Sequence, residues 1–296
     1  MRGMLNVILT VILVMAIPAA AAAGPDVRIY TAAGRELERG QLAEVLDPYE
    51  VIIFGEYHDN DVLHQLEYGL LQNVFARDNK LAVSLEMFER DVQGQLDSYL
   101  AGRLTEVEFL DKSRPWKNYR QAYRPLVEFA KAQALPVLAA NIPRQAAAHY
   151  AQTGSLAGVG AELEMYLPQL HSAPDGEYRR RFMALMGSGQ MPVRAENLDR
   201  YYKAQCLKDD TMAESIADFL RQRPDYKLIH YQGDFHSRQR LGVVEKLQML
   251  RPELKVAVIT PVYTENPADL ANLPPRYRNA GDIIIFLQQP GQQGEK

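Results

Sequence analysis

Two tetrapeptides carry the residues best suited to chemistry: Gly55-Glu56-Tyr57-His58 and Gly233-Asp234-Phe235-His236. In each, an acid follows the glycine directly and a histidine comes two residues after the acid. Each also ends a stretch that reads as a strand, Val51-Ile52-Ile53-Phe54 in the first case and residues 227–232 in the second. A glycine there lets the backbone turn tightly or approach a ligand closely. Glu56, His58 and His236 would together supply two imidazoles and one carboxylate, a set that suits a divalent metal with open positions. Read as acid–histidine pairs instead, they would do general acid–base work.

The elements that must position these groups follow an alternating pattern. Apolar runs at 81–85, 136–140, 255–260 and 282–287 read as further strands. Helical periodicity marks 60–77, 89–101, 105–112, 119–133, 195–221 and 239–250. Thr105-Glu106-Val107-Glu108 is a capping-box sequence. Strand alternating with helix predicts an α/β fold, a mainly parallel β-sheet flanked by helices. Residues 144–194 hold short helical pieces broken by Gly and Pro. They are expected to form a smaller α-helical insertion subdomain within a core made of 24–143 and 195–296.

Further polar residues fall just after the predicted strands: Glu86 and Arg90, Asn141 and Arg144, and His236. Ligands of open α/β sheets bind outside the carboxyl ends of the strands. Each residue alone is what a helix cap or an aqueous loop would also contain, but the set points to a cleft on that edge. His64 lies on the flank of a helical apolar stripe, and His230 lies inside a strand. His64 reads as a satisfied structural histidine or as a ligand, and His230 as a core histidine or one supporting the site. On the long helix, Leu198, Tyr202, Gln205, Asp209, Met212, Ile216 and Phe219 share one stripe. Asp209 within it needs a cation or donor, for which Arg90 and Arg144 are the candidates. Cys206 beside the stripe reads as a small buried residue.

Composition sets the outer bounds. The chain has 296 residues, 47% of them hydrophobic and 24% charged, with a net charge of −4, which is globular rather than disordered and carries no electrostatic footprint for nucleic acid. One cysteine excludes disulfide stapling, Cys-rich zinc sites and covalent haem attachment. At the N-terminus, Arg2, an uncharged run from Met4 to Ala20 and then Ala21-Ala22-Ala23 form the pattern of a cleaved signal peptide, residues 1–23. The mature chain is therefore expected to be exported, periplasmic or secreted. Membrane association would require an uncleaved N-terminal segment or a partner protein.

Longer motifs go further. Phe54-Gly55-Glu56-Tyr57-His58-Asp59-Asn60 with His64, Ser84-Leu85-Glu86-Met87-Phe88-Glu89-Arg90-Asp91, Ser113-Arg114-Pro115-Trp116, Ala139-Ala140-Asn141-Ile142-Pro143-Arg144, the run Ala204 to Ala213, and Gly233-Asp234-Phe235-His236 together resemble the ChaN-type haem-binding uptake family. The resemblance spans roughly residues 40–260. It implies a parallel-sheet domain with a smaller helical domain, and an exported protein of iron acquisition. It also implies haem bound at a homodimer interface, with a tyrosine on the iron and His and Lys on the propionates. The resemblance points to Tyr150, Tyr166 and Tyr178 as candidate ligands, and to His149 and His171 as propionate partners. Family members are often lipoproteins, whereas this chain has no lipid-attachment cysteine. The motifs also resemble a wider group that includes TIKI and TraB proteins and erythromycin esterases, whose paired G-x-x-H motifs imply metal-dependent or His/Glu-assisted hydrolysis. Under that alternative, Glu56, His58, Glu86, Arg90, Asn141, Arg144 and His236 would line a catalytic cleft of a hydrolase or protease.

Overall fold

The structure, a computed structural model, describes residues 27–187 and 194–289. The expected signal peptide, 1–23, lies outside the described residues. Eight strands form one sheet: β1 (Val27–Thr31), β2 (Glu36–Leu37), β3 (Val51–Glu56), β4 (Leu81–Glu89), β5 (Val137–Asn141), β6 (Lys227–Gly233), β7 (Val256–Thr264) and β8 (Ile283–Gln288). Their order is β2-β1-β8-β7-β3-β6-β4-β5. The six strands from β8 to β5 are parallel to their neighbours, while β1 runs antiparallel to both β8 and β2.

The sequence pattern explains the layers. Side chains alternate across a strand, so Ile52 and Phe54 of β3 enter one core while Val51 and Ile53 enter the other. On the first face lie α1 (Leu42–Val45), α2 (Asp61–Arg77), α3 (Gln93–Leu100), α4 (Glu106–Ser113), α5 (Tyr119–Ala122) and α6 (Arg124–Ala132). On the second lie α10 (Leu198–Gln222) and α11 (Val243–Leu250). Between β5 and α10 come α7 (Arg144–Thr153), α8 (Ala161–Glu164) and α9 (Glu177–Gly187). Ala146, Ala147 and Tyr150 of α7 pack on Ala204 and Leu207 of α10. Tyr178 and Phe182 of α9 pack on Tyr202 and Cys206 of the same helix.

The sheet is mainly parallel, as expected, but several elements differ in detail. The antiparallel edge strands β1 and β2 are additions, because their five- and two-residue stretches are too short and too polar to show a period. The helix expected over 119–133 is broken into α5 and α6, since Pro125 lacks an N–H and stands at the start of α6. The helix expected from 239 starts at Val243, after Gln239, Arg240 and Gly242 all adopt positive φ. Asn60 caps α2 and Thr105 closes the capping box of α4, both as the sequence indicates. Most important for the site, β3, β4 and β6 run past their apolar stretches, so Glu56, Glu86, Glu89 and Gly233 are strand residues.

β6 lies between β3 and β4 although it follows both in the chain. The carboxyl ends of these three strands are therefore neighbours, and Glu56 is in register with Gly233. The two G-x-x-H turns meet there, and each glycine makes room for the other turn. A Cβ on Gly55 would stand 2.9 Å from Asp234 Oδ1 and 3.0 Å from both Asp234 Cα and Ile259 O. A Cβ on Gly233 would stand 2.9 Å from both Cε1 and Nε2 of His58. Two of the three atoms facing Gly55 are backbone, so the structure yields only by moving strands. Gly55→Ala is accordingly expected to lower stability by about 1–3 kcal/mol, read as a lower urea midpoint at unchanged m-value.

Candidate functional site

The floor of the site is built from the ends of β3, β6 and β4. His236 is buried there between two carboxylates. Its Nδ1–H donates to Asp209 Oδ1 at 2.5 Å, and its Nε2 lies 3.4 Å from Glu86 Oε1. Burial works against the imidazolium, but Glu86 and Asp209 outweigh it and push the His236 pKa up to about 10. The other oxygen of Glu86 accepts the Gly233 N–H at 2.7 Å. Burial alone would raise Glu86, yet the charges of His236 and His58 and that N–H hold it well below the usual carboxylate range. Gln205 places its amide nitrogen 3.2 Å from both ring nitrogens of His236.

His58 occupies the gap over Gly233. Its Nδ1 pairs with Glu56 Oε1 at 2.7 Å, and the Tyr123 hydroxyl donates to the same oxygen at 2.7 Å. Burial opposes charge on His58, but Glu56 and Glu86 raise its pKa overall. Trp116 stacks edge-on against the ring at 4.8 Å between centroids. Behind Glu56, His64 Nδ1 stands 3.0 Å from Glu67 Oε2 and 3.5 Å from Glu56 Oε2. Burial, with Glu56 beside it, pushes Glu67 well above the ordinary range.

Above this floor opens a cavity of about 840 Å³. Its walls are Ile142, Ala147, Ala148 and Ala151 from the β5–α7 side, Phe182, Leu185 and Met186 from α9, and Tyr201, Ala204, Gln205 and Lys208 from α10. The α10 residues are spaced i, i+3, i+4 and i+7, so they form one face of the helix. Arg144 and Lys208 bring positive charge to a largely apolar space, and His58, Glu86, Glu89, Asn141, Phe235 and His236 complete its base.

The residues singled out in the sequence divide by place. Glu86, His58, Asn141, Arg144 and His236 line the cavity, while Glu56 stands behind His58. Arg90 lies apart, bound to Glu214 at 3.0 Å, Ser215 at 2.8 Å and the Thr211 carbonyl at 2.8 Å. Arg144 pairs with Glu89 and donates to the Arg114 carbonyl. The expectation that Asp209 pairs with Arg90 or Arg144 is therefore corrected. Arg90 is taken by Glu214, farther along the same helix α10, and Arg144 by Glu89 at the end of β4, while Asp209 pairs with His236. Glu56, His58 and His236 do not converge on one point either. Among the described residues, the acids and histidine whose ligand atoms come together are Glu56, His64 and Glu67.

Tyr150, Tyr166, Tyr178, His149 and His171 all stand outside the cavity wall. Tyr150 is hydrogen-bonded to His171 Nε2 at 3.0 Å, and His171 Nδ1 to Asp210 at 2.8 Å. Lys246 holds the other oxygen of Asp210 at 2.9 Å, making a structural network that ties α7 to α10 and α11. Tyr178 is buried against Phe235 and Tyr202. Tyr166 is half-buried beside the Ile142–Leu207 cluster. His149 is half-buried and bonds the Ala157 carbonyl. The tyrosine that does line the cavity is Tyr201, 41% exposed. Its spacing to Ala204, Gln205 and Lys208 was visible in the sequence, one residue offset from the stripe that faces the core.

The family model described as haem-binding uptake, Tiki superfamily, ChaN matches residues 42–247. The fold is similar to that of ChaN of Campylobacter jejuni in a structure of cofacial haem binding. The likeness has a TM-score of 0.65 at 16% identity and covers 89% of this chain and 98% of that one. It is also similar to the type III effector HopBA1, with a TM-score of 0.53 at 9% identity over 87% of this chain and 96% of that one. No curated protein matches the chain by sequence.

The charge state of His236 gives a pH signature. Its pKa rises from 6.5 to about 10 on folding, so the folded state favours the bound proton. That contribution to stability is complete below about pH 6.5 and is lost progressively as the pH climbs to about 10. The urea stability of wild type minus that of His236→Gln should shrink steadily over this window. A gap that stays constant from pH 7 to 10 would show that His236 is neutral in the fold.

Proposed function

The chain belongs to the ChaN-type haem-binding uptake family of the Tiki superfamily, and from that premise we propose that it is an exported haem carrier of iron acquisition that holds ferric haem in the cavity between α7, α9 and α10, with Tyr201 on the iron. The observation that carries this reading is the match between the α10 face and the needs of the ligand. Haem is a flat apolar macrocycle with two carboxylates and a Lewis-acidic iron. Ala147, Ala148, Ala151, Phe182 and Met186 offer flat apolar walls, and small alanines leave room for a plate-shaped ligand. Tyr201 and Lys208 stand two turns apart on the same face, about 10 Å along the helix axis. That separation lets a phenolate meet the iron while the ammonium and Arg144 meet propionates at the edge. A phenolate is a hard ligand that suits ferric iron.

Tyr201 takes the role for which Tyr150, Tyr166 and Tyr178 were candidates: Tyr150 is bonded to His171, Tyr166 packs beside the Ile142–Leu207 cluster, and Tyr178 is buried with its hydroxyl against Gln205. The cavity rim is open, with Leu185 and Tyr201 exposed. A second copy closing over that rim would complete the enclosure, which fits a homodimer formed around the ligand. Export rests on the N-terminal sequence. Among the described residues no helix is long and apolar enough to cross a membrane. The hydrolase reading in its metal-dependent form has less support, since Glu56, His58 and His236 do not share a common point.

Hemin titration of the purified protein tests the proposal. Wild type should bind hemin saturably with the charge-transfer absorption of a tyrosinate-ligated ferric haem. Tyr201→Phe should abolish that band and weaken binding at least about tenfold, roughly 1.4 kcal/mol. Lys208→Ala should weaken binding while leaving the band in place. Absence of saturable binding by wild type, or an unaltered spectrum in Tyr201→Phe, would refute the assignment.

A further inference from the structure

A second cluster lies behind the cavity floor, on the far side of His58. Glu56 of β3 and His64 and Glu67 of α2 are all buried, and one ligand atom from each lies within 4.8 Å of the others. His64 and Glu67 are three residues apart on one helix and so share its inner face. Glu56 Oε2 and Glu67 Oε1 have no hydrogen-bond partner in this interior. A buried carboxylate oxygen without a donor is costly, and here two such groups are placed side by side.

The imidazole between them is fixed in a telling orientation. His64 Nε2–H donates to the His58 carbonyl at 3.1 Å. In the neutral ring this leaves the Nδ1 lone pair facing Glu67 Oε2 at 3.0 Å and Glu56 Oε2 at 3.5 Å. Lone pairs of three donor atoms then face one another, and such a cluster is held together either by a proton on Glu67, which burial beside Glu56 favours, or by a cation in its place. The two distances from His64 Nδ1 match those between ligands of a metal. Donor atoms on bonds of about 2.1 Å stand about 3.0 Å apart at right angles and about 3.4 Å apart in a tetrahedron. The outer contacts match as well, because metal-bound histidines donate their second N–H to a carbonyl or carboxylate, and metal-bound carboxylates are themselves hydrogen-bonded. Glu56 Oε1 receives His58 Nδ1 and the Tyr123 hydroxyl, both at 2.7 Å.

We propose that Glu56, His64 and Glu67 form a binding site for one divalent cation, separate from the haem cavity. Two carboxylates and a neutral imidazole around a dication sum to zero charge, which removes the burial penalty of both acids at once. Two oxygen donors and one imidazole suit Mn²⁺, Fe²⁺ or Zn²⁺ rather than soft thiolate-seeking ions. His64 also lines a smaller hollow of about 340 Å³, whose wall carries Asp59, Asp61, Lys117, Asn118 and Gln121, and this provides the way in. The inference stands independently of the haem reading, since it uses none of the cavity-wall residues.

The test uses the chelator-stripped full chain with Mn²⁺ followed by electron paramagnetic resonance, and Co²⁺ followed by d–d absorption. Wild type should bind one Mn²⁺ per chain, and its thermal midpoint should rise with added Mn²⁺. Glu67→Gln and His64→Gln, both close in shape to the native side chains, should weaken binding at least about tenfold and lose the midpoint shift. Met249→Ala, at an exposed position of α11 on the other face of the sheet, should bind as wild type does. If wild type binds neither ion, or if both cluster variants bind as tightly as wild type, the site is overturned and a proton shared by the two glutamates holds the cluster together. Circular dichroism of each variant separates lost binding from lost fold.

Discussion

The site depends on a close approach of two backbones. β3 and β6 are adjacent parallel strands with Glu56 opposite Gly233, and both turn directly after this point. The turns interlock: Gly55 admits Asp234, and Gly233 admits His58. Side chains at either position would separate the strands or eject a partner. With both glycines in place, His58 is carried across the end of β6 and comes beside Glu86 of β4. The sheet order, in which a late strand is inserted between two early ones, is what brings the third carboxylate to the same spot.

Electrostatics then locks the floor. Glu86, Asp209 and Glu56 are buried acids, and each is matched with an imidazole. An isolated buried carboxylate would shed its charge. Against that burial, the nearby imidazoles hold Glu56 and Glu86 below their ordinary range, while burial still raises Asp209. α10 contributes Asp209 from within an otherwise apolar stripe, so the His236 contact also fixes how that helix lies on the sheet. The same helix presents Tyr201, Ala204, Gln205 and Lys208 to the cavity. Seating Asp209 on His236 therefore sets the height of the cavity wall above the floor.

The fold and the location of the site were legible in the sequence because they rest on local signals. Apolar runs ending in Gly-acid pairs gave the strands and their polar ends, and the period of α10 gave its buried stripe, with Asp209 flagged as needing a partner. The partner itself was not legible. Arg90 and Arg144 were plausible by charge, but long-range pairing is set by strand order, and nothing in a sequence reveals that β6 enters between β3 and β4. The same limit applies to Tyr201. Adjacent positions on a helix point about 100° apart, so the neighbouring Tyr202 is buried while Tyr201 faces the cavity. Choosing between them needs the position of α7 and α9, which are joined to the core by irregular segments with weak periodicity. Glu67 was missed for a related reason. It lies within the apolar stripe of α2, the same signal that marked Asp209, but what faces it is not legible until β3 is seen to bring Glu56 against it.

The floor and the wall divide the chemistry between them. Every imidazole at the floor has a nitrogen committed to an acid or a carbonyl, and both oxygens of Glu86 and one of Glu56 are committed in return. A large apolar ligand gains little by displacing such contacts, since each displaced partner would be left charged and buried. Its anchoring groups must come instead from side chains with free reach, and these lie on the exposed faces of α7 and α10. The glutamate–histidine cluster behind the floor has the opposite character: closed to anything the size of a macrocycle, rich in oxygen donors, and matched to a single small cation. His58 lies on the boundary, in the lining of both hollows, with Glu56 shared between its ring and the cluster. A cation there would draw on the same carboxylate that orients His58, so the two sites would be joined through one hydrogen bond rather than through a movement of the fold.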